Sequence, residues 1–439
     1  MKPNAGDKVK VITSEKEFEG ILMPNEETDS VVIKLDSGYN MGIENKKVKK
    51  IILAEKFVAK KESKKPELKH DSSKPTIAIL HTGGTIASRV DYRTGGAVAR
   101  FSPEEILDMF PKLHEIANIR SRLIYNMFSE DMRFKHYAIM CKAIEEEIKS
   151  GIDGIILTHG TDTMTYTSAA LSFALENIPI PVLLVGSQRS SDRGSSDAEM
   201  NLMCAVRFMA ESDFAGIAIC MHETENDDNC LILPPCKTRK LHTSRRDAFR
   251  PVNDKPIARV NYGSNKIEFI KKGYMKKDKS RKTIVRDKFE EKVGLLKCHP
   301  NMFPEQFTIF KSHKGLVIEG TGLGQAPVGT PNPISEIHAK NMNTIKSLIK
   351  NGCFVIMTSQ CIFGRVNMHV YSAAIDLVNA GVVSGDDMLS ETALIKLSWL
   401  LGNYEKGEVR ELISKNLRGE INERHSLNDS VKADYFPNE

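Results

Sequence analysis

Apolar and polar positions change period along this chain, and the changes mark out its organisation. Over residues 7–55, short apolar runs sit at Val9 and Val11, Phe18 to Met23, Val31 to Leu35 and Val48 to Leu53, separated by Pro24-Asn25 and Asp36-Ser37-Gly38. Short alternating runs between turn residues predict about five strands closed into a small β-barrel of the SH3-like or Sm-like kind. From Thr76 the pattern lengthens. Continuous apolar runs, expected of strands buried on both faces, occur at Ile77–Leu80, Ile155–Leu157, Val182–Val185 and Ile217–Cys220. Helical spacing appears at Pro103–Met109, Phe134–Lys149, Met164–Leu175 and Ala198–Met209. Strands alternating with helices predict an α/β fold with a doubly wound parallel sheet.

A basic stretch, Lys271 to Lys292, leads into a second α/β unit. Its strands are predicted at Gly315–Gly320 and Cys353–Met357, and its helices at Ser335–Lys350 and Ser372–Ala380. The last thirty-odd residues are charged and expected at the periphery, with one amphipathic helix over Val409–Leu417. The expected domains are a small barrel at 1–57, a basic linker at 58–75, α/β units at 76–292 and 293–425, and a charged tail at 426–439.

Composition adds limits. The 439 residues are 41% hydrophobic and 27% charged, an ordinary globular balance. No apolar run approaches the roughly 20 residues that span a bilayer, and Met1 to Asp7 lacks the apolar core of a signal peptide. A cytoplasmic location without membrane contact is the expectation. Eight scattered cysteines form no C-x-x-C pair, so neither a disulfide framework nor a structural zinc is expected. Between residues 45 and 75 stand eleven lysines and four acids, a local excess of +7 in a chain of net +5. That segment reads as a solvated tether or as a salt-sensitive attractor of RNA phosphates.

Two turns carry the chemistry. His81-Thr82-Gly83-Gly84-Thr85 follows the run Thr76 to Leu80, and Thr158-His159-Gly160-Thr161-Asp162-Thr163 follows Gly154 to Leu157. Ligands of open α/β sheets sit at the carboxyl ends of strands, so both turns predict one site with two threonine side chains facing a substrate. A threonine hydroxyl is a weak nucleophile until a base removes its proton. A desolvated lysine can be that base, with a carboxylate to orient it. Thr161 and Asp162 are adjacent, so a lysine reaching both completes a relay; Lys240 and Lys237 are the alternatives. Gly83-Gly84 lets the backbone approach an amide and donate N–H groups. The blander reading makes Thr85 and Thr161 plain helix caps after a strand, and Thr161 to Thr163 offer N-caps for the helix that begins near Met164. His81 and His159 flank the turns but lack a third ligand at metal-binding spacing. Neither G-x-G-x-x-G nor a Walker motif is present.

His81-Thr82-Gly83-Gly84-Thr85-Ile86-Ala87 and Thr158 to Met164 resemble the two signature motifs of the L-asparaginase/glutaminase amidohydrolases, with similarity from about Pro75 to about Gly402. The basic front extension and the closing Asn416-Leu417-Arg418-Gly419-Glu420-Ile421 resemble, more narrowly, the archaeal GatD family, the glutaminase halves of glutamyl-tRNA(Gln) amidotransferases.

The resemblance implies an asparaginase-like two-domain body and a catalytic set of Thr85, Thr161, Asp162 and Lys240. Thr85 would attack, and Thr161 would activate it or the hydrolytic water. Lys240 is the lysine that lines up on the Asp247-Ala248-Phe249 ending; Lys237 is the fallback. For substrate binding it implies Ser129 on the α-carboxylate, Glu130 beside it, Gly84 and Gly160 in the turns, and Tyr92 on a lid hinged at Gly95-Gly96. Gln325 resembles a partner-subunit contact of asparaginase dimers. Glutamine would be hydrolysed to glutamate and ammonia without a cofactor or metal in this chain. The implied partner is a GatE subunit, in a heterodimer or a dimer of heterodimers, with self-association through the asparaginase-like body. That partner would use ATP and Mg²⁺ to convert Glu-tRNA(Gln) to Gln-tRNA(Gln) and carry most tRNA contacts. The rivals are a free-standing cytoplasmic L-asparaginase, which leaves the front barrel and tail without a purpose, and a catalytically dead RNA-binding adaptor.

Overall fold

A computed structural model describes residues 3–23, 29–35, 40–56, 70–84, 88–90, 97–99, 110–190 and 195–424. Most of the basic linker, the helix expected at Pro103–Met109 and the tail beyond Arg424 lie outside the described residues. The front segment forms five strands, Lys8–Thr13, Glu17–Leu22, Ser30–Lys34, Asn40–Glu44 and Val48–Glu55, in one antiparallel sheet. Val9, Val11, Ile33 and Ile43 fill its core, while Lys8 and Lys10, on the alternate positions of the same strand, pair with Glu19.

The body is built on an eight-stranded sheet. Five neighbouring strands run parallel in the order Asn118–Met127, Thr76–Gly83, Gly154–Thr158, Pro181–Val185 and Gly216–His222. The four from Thr76–Gly83 to Gly216–His222 are buried on both faces, which is why they read as unbroken apolar runs. Three antiparallel strands, Asn229–Leu233, Ala258–Asn261 and Ile267–Phe269, extend the sheet beyond Gly216–His222. The sheet is therefore mixed, and the purely parallel expectation holds for its first five strands only. Numbered by sequence, the parallel strands lie in the order 2-1-3-4-5, so the direction of winding reverses between Thr76–Gly83 and Gly154–Thr158. Such a switch point leaves a crevice at the carboxyl ends of the two strands, and those ends carry the two motif turns.

Helix Phe134–Lys149 occupies the predicted residues and buries Tyr137, Met140, Cys141, Ala143 and Ile144, a stripe of helical spacing. Helices Met164–Ala174 and Ala198–Glu211 follow strands Gly154–Thr158 and Pro181–Val185. The second unit is a four-stranded parallel sheet of Val293–Lys297, Gly315–Gly320, Phe354–Ser359 and Val383–Ser384. Its helices include Ile337–Lys350, preceded by a 3-10 turn at Pro333–Ser335, and Ser372–Ala380. The units share one core: Phe173 stacks on Trp399 of helix Ser390–Asn403 at 5.5 Å, and Val317 and Ile356 belong to the same cluster.

The chain end departs from expectation. The final helix spans Lys406–Leu412 rather than Val409–Leu417, because Glu408 accepts the Glu405 N–H and so fixes its start. Beyond it the chain is not peripheral. Glu420 is buried, pairs with buried Lys396 at 2.6 Å, and accepts the Leu417 and Arg418 N–H groups. Among the described residues no helix is long and apolar enough to cross a membrane.

Candidate active site

The two turns touch through their backbones. Thr158 lies beside His81 in parallel register, and the chain then turns in both strands. Gly83 has φ +102°, and a Cβ there would stand 2.3 Å from Met127 O; Gly84 has φ +78°, and its Cβ would stand 2.4 Å from Gly160 N. No L side chain fits either place. Thr82 Oγ1 donates to Thr158 O at 2.8 Å, stitching the turns together. The Gly84 N–H donates to Met127 O at 3.1 Å. That hydrogen is already committed, so the glycine serves close approach and not the free amide donation predicted for it. Gly160 meets the third component: a Cβ on it would lie 2.7 Å from Ser129 Oγ.

The amine arrives from a hairpin. Strand Thr238–Lys240 pairs with Phe249–Pro251, Lys240 opposite the buried Phe249. This register sends Lys240 Nζ to Thr161 Oγ1 at 2.9 Å and to Asp162 Oδ1 at 2.7 Å. Thr161 is buried, whereas the Asp162 side chain is 66% exposed and that of Lys240 13%, so the cluster opens to solvent on the Asp162 side. Lys237 is elsewhere. It is buried against Asp387, Nζ to Oδ2 2.6 Å, and burial lowers its pKa while Asp387 opposes that shift. It joins the two α/β units and does not reach Thr161.

For Thr161 and Thr163 the capping reading fails on the geometry, while Thr85 lies outside the described residues. Thr163 occupies the N-cap position of helix Met164–Ala174 but makes no side-chain cap; its hydroxyl donates to Ser129 O at 2.8 Å. The Thr161 hydroxyl donates to Gln188 Oε1 at 3.5 Å. Both histidines are structural. His81 bonds Thr158 Oγ1 and Ser121 Oγ. His159 lies next to Gly160 O, which can only accept, so Nδ1 carries the hydrogen and Nε2 accepts from Thr167 Oγ1 at 2.8 Å. Burial pushes the His159 pKa down to about 4, keeping the ring neutral. Among the described residues no group of three or more His, Cys, Asp and Glu could hold a metal ion.

Ser129 begins the short turn Ser129–Asp131 and is buried against Gly160, while Glu130 is exposed. Thr85 and Tyr92 lie outside the described residues. Gln325 is half-buried on a tight turn closed by Thr321, with its Nε2 unpartnered. Sequence reasoning missed Gln188. The signal was there: the run Pro181–Val185 ends in Gly186-Ser187-Gln188, a third strand-to-turn junction beside the other two.

Comparison with known proteins finds family matches over three stretches of the chain. Residues 76–273 match the family "Asparaginase, N-terminal", residues 292–413 the "Glutaminase/Asparaginase C-terminal domain", and residues 4–53 the "GatD N-terminal domain". The D subunit of the glutamyl-tRNA(Gln) amidotransferase of Pyrococcus furiosus is 47% identical over 427 residues, covering 95% of this chain and 94% of that protein. Its namesake from Methanobrevibacter smithii is 42% identical over 428 residues, covering 96% and 95%. Among solved structures, the thermostable L-asparaginase from Thermococcus kodakarensis superposes with a TM-score of 0.69 at 29% identity, covering 79% of this chain and 99% of that one. With its asparaginase-like body joined to a GatD-type front domain along nearly the whole length of these relatives, the chain belongs to the GatD family of glutamyl-tRNA(Gln) amidotransferase subunits, within the asparaginase/glutaminase amidohydrolases.

Proposed function

We propose that this chain is the glutamine-hydrolysing subunit of a glutamyl-tRNA(Gln) amidotransferase. The contact of Lys240 Nζ with both Thr161 Oγ1 and Asp162 Oδ1 carries the hydrolytic part of the reading. The front domain, matched over residues 4–53, supports the amidotransferase role over a free-standing asparaginase.

In this reading Thr85 Oγ attacks the side-chain carbonyl of glutamine, and its proton passes into the Thr161–Lys240 pair. The carbon–nitrogen bond then breaks, ammonia leaves with that proton, and a water activated at the same pair hydrolyses the γ-glutamyl ester to glutamate. Asp162 orients Lys240 and, largely open to solvent, is placed to take the substrate ammonium. Ser129, pressed against Gly160, holds the α-carboxylate with Glu130 beside it, while Gly84 and Gly160 keep the two turns in contact; Tyr92 acts from the lid. The chain itself uses no cofactor. Ammonia passes to a GatE partner in the cytoplasm, where ATP and Mg²⁺ activate Glu-tRNA(Gln). Most tRNA contacts belong to that partner, and self-association runs through the asparaginase-like body, with Gln325 on the contact.

The test is ammonia release measured with each component omitted in turn. Glutamine hydrolysis is expected to be weak for the chain alone and to rise with partner and Glu-tRNA(Gln) present. Robust asparagine hydrolysis by the isolated chain, unchanged by either addition, would favour the free-standing enzyme.

A further inference from the structure

Near Thr161, among the described residues, the Gln188 side chain carries a buried hydrogen-bonding group without a partner. Gln188 accepts the Thr161 proton through Oε1, while its Nε2 is buried and has no hydrogen-bond partner. Lys240 Nζ donates to Thr161 Oγ1 at 2.9 Å, and the Thr161 hydroxyl donates to Gln188 Oε1 at 3.5 Å. The amide nitrogen then faces away from Thr161.

The backbone of this turn is held without help from that side chain. Asp197 accepts the Gln188 N–H at 3.0 Å and the Arg189 N–H at 3.1 Å. Asn201 Nδ2 donates to Asp197 Oδ2 at 3.2 Å and to Gly186 O at 3.0 Å, and its own oxygen meets buried His222 Nδ1 at 2.6 Å. Gly186 lets the turn press on the site: a Cβ there would lie 3.0 Å from Thr161 Cγ2 and 2.8 Å from His159 O. Thus the fold commits a network of Asp197, Asn201 and His222 to placing residue 188, yet leaves half its side-chain amide unsatisfied. A buried N–H without an acceptor is costly and needs an explanation. Beside a hydroxyl built for amide hydrolysis, an arriving carbonyl oxygen supplies one.

We propose that Gln188 is a substrate-contacting residue whose Nε2–H donates to the carbonyl oxygen of the bound primary carboxamide, while its Oε1 holds the Thr161 hydroxyl in register with Lys240. This rests on the hydrolytic reading of the Thr161–Lys240 cluster and deepens it. One amide thereby couples the substrate to the proton relay. The donor also favours catalysis, because the oxygen it meets gains negative charge as the nucleophile adds.

The test compares Gln188→Glu and Gln188→Leu with the parent, as full-length chains in the assembled complex, by ammonia release from glutamine across pH 5 to 9. Glutamate keeps the acceptor and loses the donor until it is protonated; leucine loses both. At pH 8 both variants are expected to lose about tenfold or more in kcat/KM. The Gln188→Glu to parent ratio should climb as pH falls toward 5, and the Gln188→Leu ratio should stay flat. Thermal midpoints close to the parent are expected, since Asp197 and Asn201 hold the backbone. Variants within twofold of the parent at every pH, or equal losses with no recovery for glutamate, overturn the proposal. Lys240→Met, run alongside, separates the two failures. If it too hydrolyses glutamine at the parental rate, the cluster itself was misread; if it is inactive while Gln188 is silent, only the Gln188 inference falls.

Discussion

Gly84 is where the two motif turns meet, and replacing it with alanine probes that meeting alone. Two costs follow from the geometry. The residue has φ +78°, a conformation that costs an L residue roughly 1–2 kcal/mol. The new Cβ would lie 2.4 Å from Gly160 N, 2.6 Å from its Cα and 2.9 Å from His159 C. All three are backbone atoms, so no rotamer can relieve the overlap, and restoring van der Waals contact separates the turns by about 1 Å. Overpacking of this kind costs about 1–3 kcal/mol, for a total of roughly 2–5 kcal/mol. Gly151 supplies the control: its φ is +84° but nothing lies within 4 Å of its Cβ position. Gly151→Ala should therefore cost only the backbone term. Urea unfolding of both variants, compared at equal m-values, should show Gly84→Ala weaker than Gly151→Ala by about 1–3 kcal/mol. Displacing the turn by that distance should also lower kcat/KM for glutamine by up to about 10²-fold, with Gly151→Ala unaffected. Equal stability and equal activity of the two variants would refute the contact between the turns.

Other outcomes follow from buried titratable groups. His159 titrates near 6.5 when unfolded and about 4 when folded, so the unfolded chain takes up the proton first as pH falls. The stability it contributes is complete above about pH 6.5 and declines toward pH 4, by up to about 3 kcal/mol; chemical unfolding across this range should show the slope, and His159→Gln should flatten it. Lys237→Met leaves Asp387 charged and buried, with an expected loss of about 3–5 kcal/mol, while the Lys237→Met/Asp387→Leu pair should recover most of it; the unfolding midpoints of both proteins check this. Glu420→Gln breaks the buried pair with Lys396 and should likewise cost about 3–5 kcal/mol, read as a lower midpoint in the same assay.

The parts of this structure that were legible in the sequence are those where one local pattern decides the outcome. Ile77–Leu80, Ile155–Leu157, Val182–Val185 and Ile217–Cys220 all lie inside observed parallel strands, because burial on both faces leaves no polar alternation to confuse them. Helix Phe134–Lys149 was readable from its stripe alone. The antiparallel edge was not. Ala258–Asn261 and Ile267–Phe269 are too short and too polar to announce themselves, and they exist because neighbouring strands receive them. The end of the chain misled for a related reason: Glu420 and Lys396 look like surface charges until the fold seals them together. Lys240 and Lys237 stand close in sequence and differ entirely in environment, which the hairpin register decides. Gln188 escaped notice because a lone amide after a strand resembles any turn residue. Only its distance to Thr161 and its unused nitrogen distinguish it.

The central claim is that an amine, a buried hydroxyl and a carboxylate act together on a carboxamide. Pre-steady-state ammonia release from glutamine by Lys240→Met in the assembled complex tests it most directly. Loss of a positioned base should slow hydrolysis by about 10²–10⁴-fold while glutamine still binds and the protein remains folded. Hydrolysis within about threefold of the parent would contradict the account.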